Sequence, residues 1–300
     1  MPEKNNTIQV VRKPDEMAEV AGKIVNNGGK IGLVPTMGFL HEGHLSLLKL
    51  LNGKCGVKIA SIFVNPIQFG KNEDISAYPR NEKRDIEQLQ AAGCQIVFAP
   101  DPEDIYPPDF QTYVDVERIT QGLCGEYRPG HFRGVTTIVA RLFNITRCSV
   151  AAFGLKDFQQ AQVIHRMVKD LYLPVELIFG ETVREADGLA MSSRNTRLSL
   201  AERQTALRLS RALEWARQRA ENSAVEVSEI VAGVSHIISS SPNAVIQYIE
   251  CVDAETLKSV ETIFSRAQIV LAVYVGKTRL IDNITIGKDS GTKPIASVIL

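Results

Sequence analysis

The chain carries no excess of charge of either sign. Lys and Arg number 34 and Asp and Glu number 34, for a formal net charge of zero over 300 residues. A protein built around a nucleic acid would show a basic excess or stripe, so that class is set aside, whereas a small anion needs only a local cluster. Cysteine is scarce: Cys55, Cys94, Cys124, Cys148 and Cys251 are scattered, odd in number, and without a Cys-x-x-Cys pair. This usage points to a reducing, cytoplasmic setting and argues against a disulfide framework or a zinc knuckle. No apolar run reaches the ~18 residues of a membrane span. The polar start Met1-Pro-Glu-Lys-Asn-Asn6 lacks the apolar core of a signal peptide.

What is present is ordinary for a globular protein, 44% hydrophobic and 23% charged. The length predicts two domains. Over the first part of the chain, short apolar strands alternate with helices. Strands are expected at 31–34, 57–64, 95–99, 149–153 and 175–179, and helices at 14–27, 44–51, 81–92, 135–145 and 157–171. That alternation marks a parallel sheet covered on both faces, whose ligands sit beyond the carboxyl ends of the strands. Near residue 182 the character changes. Helices at 201–221 and 225–238 precede strands at 245–252, 268–275 and 280–286, the pattern of a small α+β domain, and a loose tail is expected after 286. The fold class is therefore α/β: a Rossmann-like parallel-sheet domain over 1–183 with a smaller C-terminal α+β domain over 184–300.

The candidate chemistry lies just past the strands. After 31–34 come Met37, Gly38, Phe39 and Leu40, then His41, Glu42, Gly43 and His44, and an apolar-periodic segment begins at once. A helix N-terminus has unpaired N–H groups and a partial positive charge, and so attracts phosphate. Two imidazoles there add hydrogen bonds without permanent charge. A zinc-protease helix needs His-Glu-x-x-His, and the spacing here is one residue too short. Asn65 and Gln68 end the next strand, where amides can read hydroxyls and carboxylates, or where Asn65-Pro66 merely makes a turn. Gly154, Leu155, Lys156, Asp157 and Gln160 end another strand. Lys156 can reach a phosphate, and Asp157 can cap the helix or hold ribose or Mg²⁺. Val183 opens a polar stretch through Met191, Ser192, Ser193 and Arg194, whose guanidinium suits an oxyanion. Neither serine lies in a Gly-x-Ser-x-Gly elbow, so a serine nucleophile is not expected. The basic loop 128–134, with His131, either touches an anion or orders a turn; His165 and His236 read as surface or partly packed residues.

Together these strings resemble one family. His41-Glu-Gly-His44 is similar to the His-x-Gly-His phosphate motif of the nucleotidyltransferase and class I aminoacyl-tRNA synthetase superfamily, and Met191-Ser-Ser-Arg194 takes the place of its Lys-Met-Ser-Lys-Ser loop. Five strings occur in the order of the pantoate–β-alanine ligases: 35–44, 61–69, 128–134, 156–160 and 186–195. Arg279-Leu-Ile-Asp-Asn283 is a further match, and the likeness spans about residues 8–287. One departure is Leu155, where the family usually has Glu.

The resemblance implies an AMP-forming ligase that condenses pantoate with β-alanine through a pantoyl adenylate. ATP is a co-substrate with Mg²⁺, and no tightly bound organic cofactor, nucleic acid or membrane partner is involved; the metal ligands are left open. It implies catalytic roles for His44, His41, Lys156 and Arg194. It implies ATP contacts from Met37 through His44, Gly154 through Asp157, Val183, and Met191 through Arg194. Pantoate and β-alanine would meet Gln68, Gln160 and Asn65. A cytoplasmic homodimer is implied. Because such an adenylate is hydrolysis-prone, the α+β domain over 184–300 is expected to act as a lid, with a hinge near 181–184. Two rivals stand beside this reading: another adenylyltransferase of the superfamily, which would need a cationic acceptor pocket, and a non-catalytic nucleotide-binding scaffold, which would have lost a phosphate-handling residue.

Overall fold

A computed structural model of the chain describes residues 7–70, 75–76, 78–221 and 224–287. Six parallel strands form the first sheet: β1 (Gln9–Val11), β2 (Ile31–Thr36), β3 (Val57–Ile62), β4 (Ile96–Phe98), β5 (Val150–Gly154) and β6 (Glu176–Gly180). Helices α1 (Pro14–Asn26), α2 (Glu42–Leu50), α3 (Glu82–Ala91), α4 (Pro102–Ile105), α5 (Cys124–Tyr127), α6 (His131–Thr146) and α7 (Phe158–Asp170) connect them. The spatial order is β1-β4-β3-β2-β5-β6. The chain thus winds outward through β3 and β4, then crosses back to β5 and β6, and the order reverses between β2 and β5. A crevice opens at such a switch point. Here β2 and β5 pair only at Gly32–Val150 and Leu33–Ala151, whereas β2 and β3 pair over six residues, so the two central strands part toward their carboxyl ends.

The strands are apolar on both faces because helices cover both. Leu33, Ile59 and Phe98 face one cluster with Met17, Phe132 and Ile164; Val34, Ala60 and Val97 face the other with Leu40, Leu48 and Leu89. Nearly all of these are fully withdrawn from water, and truncating any large one to alanine would cost about 2–5 kcal/mol.

The remainder builds α8 (Leu200–Arg219), β7 (Val225–Glu226), α9 (Val227–Ser239), β8 (Ala244–Val252), β9 (Thr262–Ile263), β10 (Ala267–Val275) and β11 (Thr278–Ile286). Strands β11-β10-β8 form an antiparallel sheet, with α8 and α9 packed on a second apolar core from Leu189 to Ile286. Pairing of β7 with β9 makes a small separate ribbon. A third patch joins the two parts: Leu123 and Phe158 meet Val252 and Val270.

The α/β class and the α+β remainder expected from the pattern are both present, with several differences. β1, the β7–β9 ribbon and the one-turn helices α4 and α5 were not expected, because two to four residues are too few to show a period. Helix α6 begins at His131, four residues before its first expected residue; Gly130, in the left-handed region at φ +80°, starts it. Helix α2 begins at Glu42, so His41 is its N-cap and His44 lies in its first turn. The tail expected to be loose after 286 lies, apart from Gly287, outside the described residues.

Candidate active site

The loops after β2, β3, β5 and β6 converge on one cleft at the switch point. Into it face Met37, His41, Gly43, His44, Asn65, Gln68, Gly154, Lys156, Asp157, Gln160, Val183, Met191, Ser192, Ser193 and Arg194. Leu40 is instead buried in the core, and Glu42 is exposed and paired with Lys49 at 2.7 Å. Leu155 packs on the apolar patch between the two parts of the chain.

The imidazole pair is held by its own helix turn. The backbone N–H of His41 donates to Nδ1 of His44 at 3.2 Å, and the two rings lie 4.0 Å apart. Gly43 is what permits this. A Cβ there would come within 2.9 Å of Cε1 and Nδ1 of His41, so the ring lies over bare backbone. Burial, followed by the charge of Lys156, lowers the His41 pKa to about 4. Burial, then His41 and Lys156, lowers that of His44 to about 3. Both rings are therefore neutral near pH 7. A neutral His44 that accepts at Nδ1 must carry its proton on Nε2, which makes that nitrogen a donor. Nδ1 of His41 is buried and has no hydrogen-bond partner within the protein.

Buried neutral imidazoles make stability depend on pH. An unfolded imidazole titrates near 6.5, while these two stay neutral in the fold until about 4 and about 3. Below pH ~6.5 the unfolded chain binds more protons, so stability present above that pH is lost as the pH falls toward ~4. The urea midpoint should drop across that window, and the drop should be shallower for His44→Gln. Parallel pH profiles for the two proteins would show that His44 is not buried neutral.

The loop carrying the pair is clamped by Asp85, a buried residue of α3. Its two carboxylate oxygens accept from the N–H groups of Phe39 and Leu40, each at 2.7 Å. Burial still lifts its pKa above the ordinary value, against those two donors. Gly38 and Phe39 are both in the left-handed region, at φ +78° and +50°, so this tight loop is costly without the clamp.

Gln68 is buried. Its Oε1 accepts from Nδ2 of Asn65 at 3.0 Å, and its Nε2 lies 3.0 Å from Sδ of Met37. Asn65 is committed to the fold: Nδ2 also donates to the carbonyl of Gly134 at 3.1 Å, and Oδ1 accepts from the Tyr106 hydroxyl at 2.8 Å. His131 joins the same network. Arg128, a donor only, lies 3.0 Å from its Nε2, so Nδ1 carries the proton and donates to the Gln68 carbonyl at 2.8 Å. His131 thus helps to order the turn, while Arg128 of the same loop also lines the cleft. Gln159 is used structurally, bonded to Ile119, Gly122 and Cys124, which leaves Gln160 for the cleft. Asp157 makes no side-chain cap to α7 and faces the cleft.

A tight turn presents Ser192, Ser193 and Arg194. Glu185 donates its N–H to Leu189, Met191 donates to Val183, and Gly188 sits at φ +95°. Buried Asn195 anchors the turn, donating to Glu185 at 2.6 Å and to the Ala190 carbonyl at 3.0 Å. Ser192 Oγ accepts from the Arg194 N–H at 3.3 Å. Burial and the nearby Arg128 pull the Arg194 pKa below its usual value; at neutral pH the guanidinium stays charged. Tyr78, absent from the sequence-based candidates, lines the cleft and hydrogen-bonds Ser193. A lone tyrosine in a polar loop gives no sequence signal of such a role. His165 is half-buried and His236 exposed, and neither lines the cleft. All five cysteines are free, and burial raises Cys94 to about 11 and Cys148 and Cys251 to about 12. No helix among the described residues is long and apolar enough to cross a membrane.

A family model described as Pantoate-beta-alanine ligase matches residues 9–285. The Pantothenate synthetase of Thermoanaerobacter sp. (strain X514) is 49% identical over 88% of this chain and 93% of its own length. That of Heliobacterium modesticaldum is 48% identical over 93% of this chain and 99% of its own. Among solved structures, Pantothenate Synthetase from Thermus Thermophilus aligns with a TM-score of 0.86 at 40% identity, covering 92% of this chain and 99% of that one. A Pantoate-beta-alanine Ligase from Francisella tularensis, complexed with Beta-gamma ATP and Beta-alanine, aligns with a TM-score of 0.77 at 32% identity, covering 92% and 97%.

Proposed function

The chain belongs to the pantoate–β-alanine ligase family, and from that premise we infer that it condenses pantoate with β-alanine, using ATP, through a pantoyl adenylate. In the first step a carboxylate oxygen of pantoate attacks the α-phosphorus and the bond to the β-phosphate breaks, releasing pyrophosphate. In the second the amine of β-alanine attacks the acyl carbon, the acyl–phosphate bond breaks, AMP leaves, and the amine proton passes to water or phosphate. One observation carries this reading. A cleft with two neutral imidazoles at a helix N-terminus, faced by Lys156 and Arg194, also holds the uncharged amides Gln68 and Gln160.

Two anions must approach each other in the first step. Fixed cations and N–H donors that meet the phosphoryl oxygens lower that barrier. Lys156, Arg194, Ser192, Ser193 and the first turn of α2 serve there. His44 acts as an Nε2–H donor whose hydrogen bond strengthens as charge gathers on phosphorus; at a pKa of about 3 it holds no second proton to give at neutral pH. Gln68 and Gln160 hold pantoate, because amides bind its oxygens without pairing the carboxylate to a cation and blunting its attack. Asn65, with both amide hydrogens committed, positions Gln68.

Among the described residues no group of three His, Cys, Asp or Glu is placed to hold a metal ion. Magnesium would therefore arrive with the triphosphate, and the cleft-facing carboxylate of Asp157 would help to hold it, supplying charge neutralisation. Taken from residue 184 onward, the C-terminal part serves in this reading as a cover that shields the hydrolysis-prone adenylate from water. A cytoplasmic homodimer completes the proposal.

Mass detection of pantothenate from pantoate, ATP and β-alanine, with omission of each, tests the reaction. Product lacking when all three are supplied would overturn it. Gln160→Ala should raise the pantoate KM by roughly tenfold and leave the ATP KM near its original value. A rise confined to ATP would show that Gln160 faces the nucleotide.

A further inference from the structure

Lys156 stands on the 3₁₀ turn Leu155–Asp157, and that turn is gripped from outside the parallel sheet. Asn283 of β11 is buried and donates through Nδ2 to the carbonyls of Leu155 at 3.0 Å and Lys156 at 2.9 Å. Carbonyls only accept, so the amide nitrogen is the atom that faces them. Its oxygen accepts from Nε2 of Gln268, buried on β10, at 2.7 Å. Gln268 is fixed in turn by the Thr285 hydroxyl, which donates to its Oε1 at 2.8 Å. The neighbouring Asp282 accepts two hydrogen bonds from Arg184, at 2.7 and 3.0 Å, and the Asn283 N–H donates to the same carboxylate at 2.8 Å.

The two carbonyls belong to the peptide planes on either side of the Lys156 Cα. Pinning both planes fixes φ and ψ of Lys156 together, and so the direction in which its side chain departs. Leu155 adds a second hold: it packs against the apolar cluster of Leu123, Phe158, Val252 and Val270.

We propose that Asn283 is a positioning residue for ATP, holding the turn Leu155–Asp157 on the C-terminal sheet so that Lys156 is aimed at the triphosphate. The proposal rests on the assignment of Lys156 to phosphate made above.

The test is a double-mutant cycle read by ATP dissociation and by steady-state KM. Asn283→Leu keeps the shape and removes the donors. It should weaken ATP binding by roughly 10- to 100-fold, the scale of losing one hydrogen bond to a charged group, with the pantoate KM unchanged. In a Lys156→Ala background the same change should add less than about twofold. Wild-type ATP affinity in Asn283→Leu, or full additivity in the cycle, overturns the proposal. Wild-type affinity in Lys156→Ala alone would instead overturn the role of Lys156. Should Asn283→Leu fail to fold, Gln268→Met leaves Asn283 in place but frees its amide to turn; ATP affinity unchanged in that variant also overturns the proposal.

Discussion

Replacing His44 by alanine is expected to lower turnover by roughly 10²–10³, as loss of one preplaced oxyanion donor does, with the fold retained. The size follows from where the ring sits. His44 lies in the first turn of α2, where unpaired N–H groups already favour an anion. Its Nδ1 is occupied by the His41 N–H, so the Nε2 proton is committed to the cleft. A donor already oriented needs no reorganisation when charge gathers on phosphorus, and water entering in its place does. The variant also frees the His41 N–H and loosens the tilted ring whose centroid lies 4.0 Å away, so part of the loss should appear as weaker ATP binding. His44→Gln, which keeps an N–H donor near the same place, should recover part of the rate. AMP release at saturating substrates measures the effect, and thermal unfolding checks the fold. Near-normal AMP release by His44→Ala would remove His44 from the mechanism.

The second large effect is on stability. Asp85→Asn should cost about 2–4 kcal/mol, the scale for spoiling two hydrogen bonds to a buried charged acceptor. The carboxylate takes the N–H groups of Phe39 and Leu40, one on each oxygen. An amide of the same shape has one oxygen and one NH₂, so a donor must face a donor. The released loop contains Gly38 and Phe39, both at positive φ, and nothing local favours that conformation for Phe39. Because the same loop leads into His41, the ATP requirement should rise as well. Urea unfolding followed by circular dichroism reads the first effect and ATP titration the second. A urea midpoint equal to that of the unmutated protein would show that the loop holds itself.

Much of the site was legible in the sequence, and for one reason. Pro35, Gly38, His41 and His44 are neighbours in the chain, and so are Gly154, Lys156 and Asp157. Local chemistry of that kind announces a strand that ends, a turn and a helix start. Apolar runs without alternation implied helices on both faces of the sheet, and that implied clefts at the strand ends. Leu40 and Glu42, though inside the same string, face the core and the solvent. Motif membership fixes a position along the chain but not the direction of a side chain.

The rest was decided by packing. The sequence by itself determined a parallel α/β sheet, an α+β remainder, and which loops line the cleft, because periodicity and turn residues are properties of short stretches. Only the tertiary structure decided that Asp85 clamps Phe39 and Leu40, that Tyr78 meets Ser193, that Gln160 rather than Gln159 faces the cleft, and that Asn283 carries Lys156. Those partners lie far apart along the chain or on one helix turn among alternatives. A hydrogen bond between them leaves no periodic trace, since it depends on where whole elements come to rest.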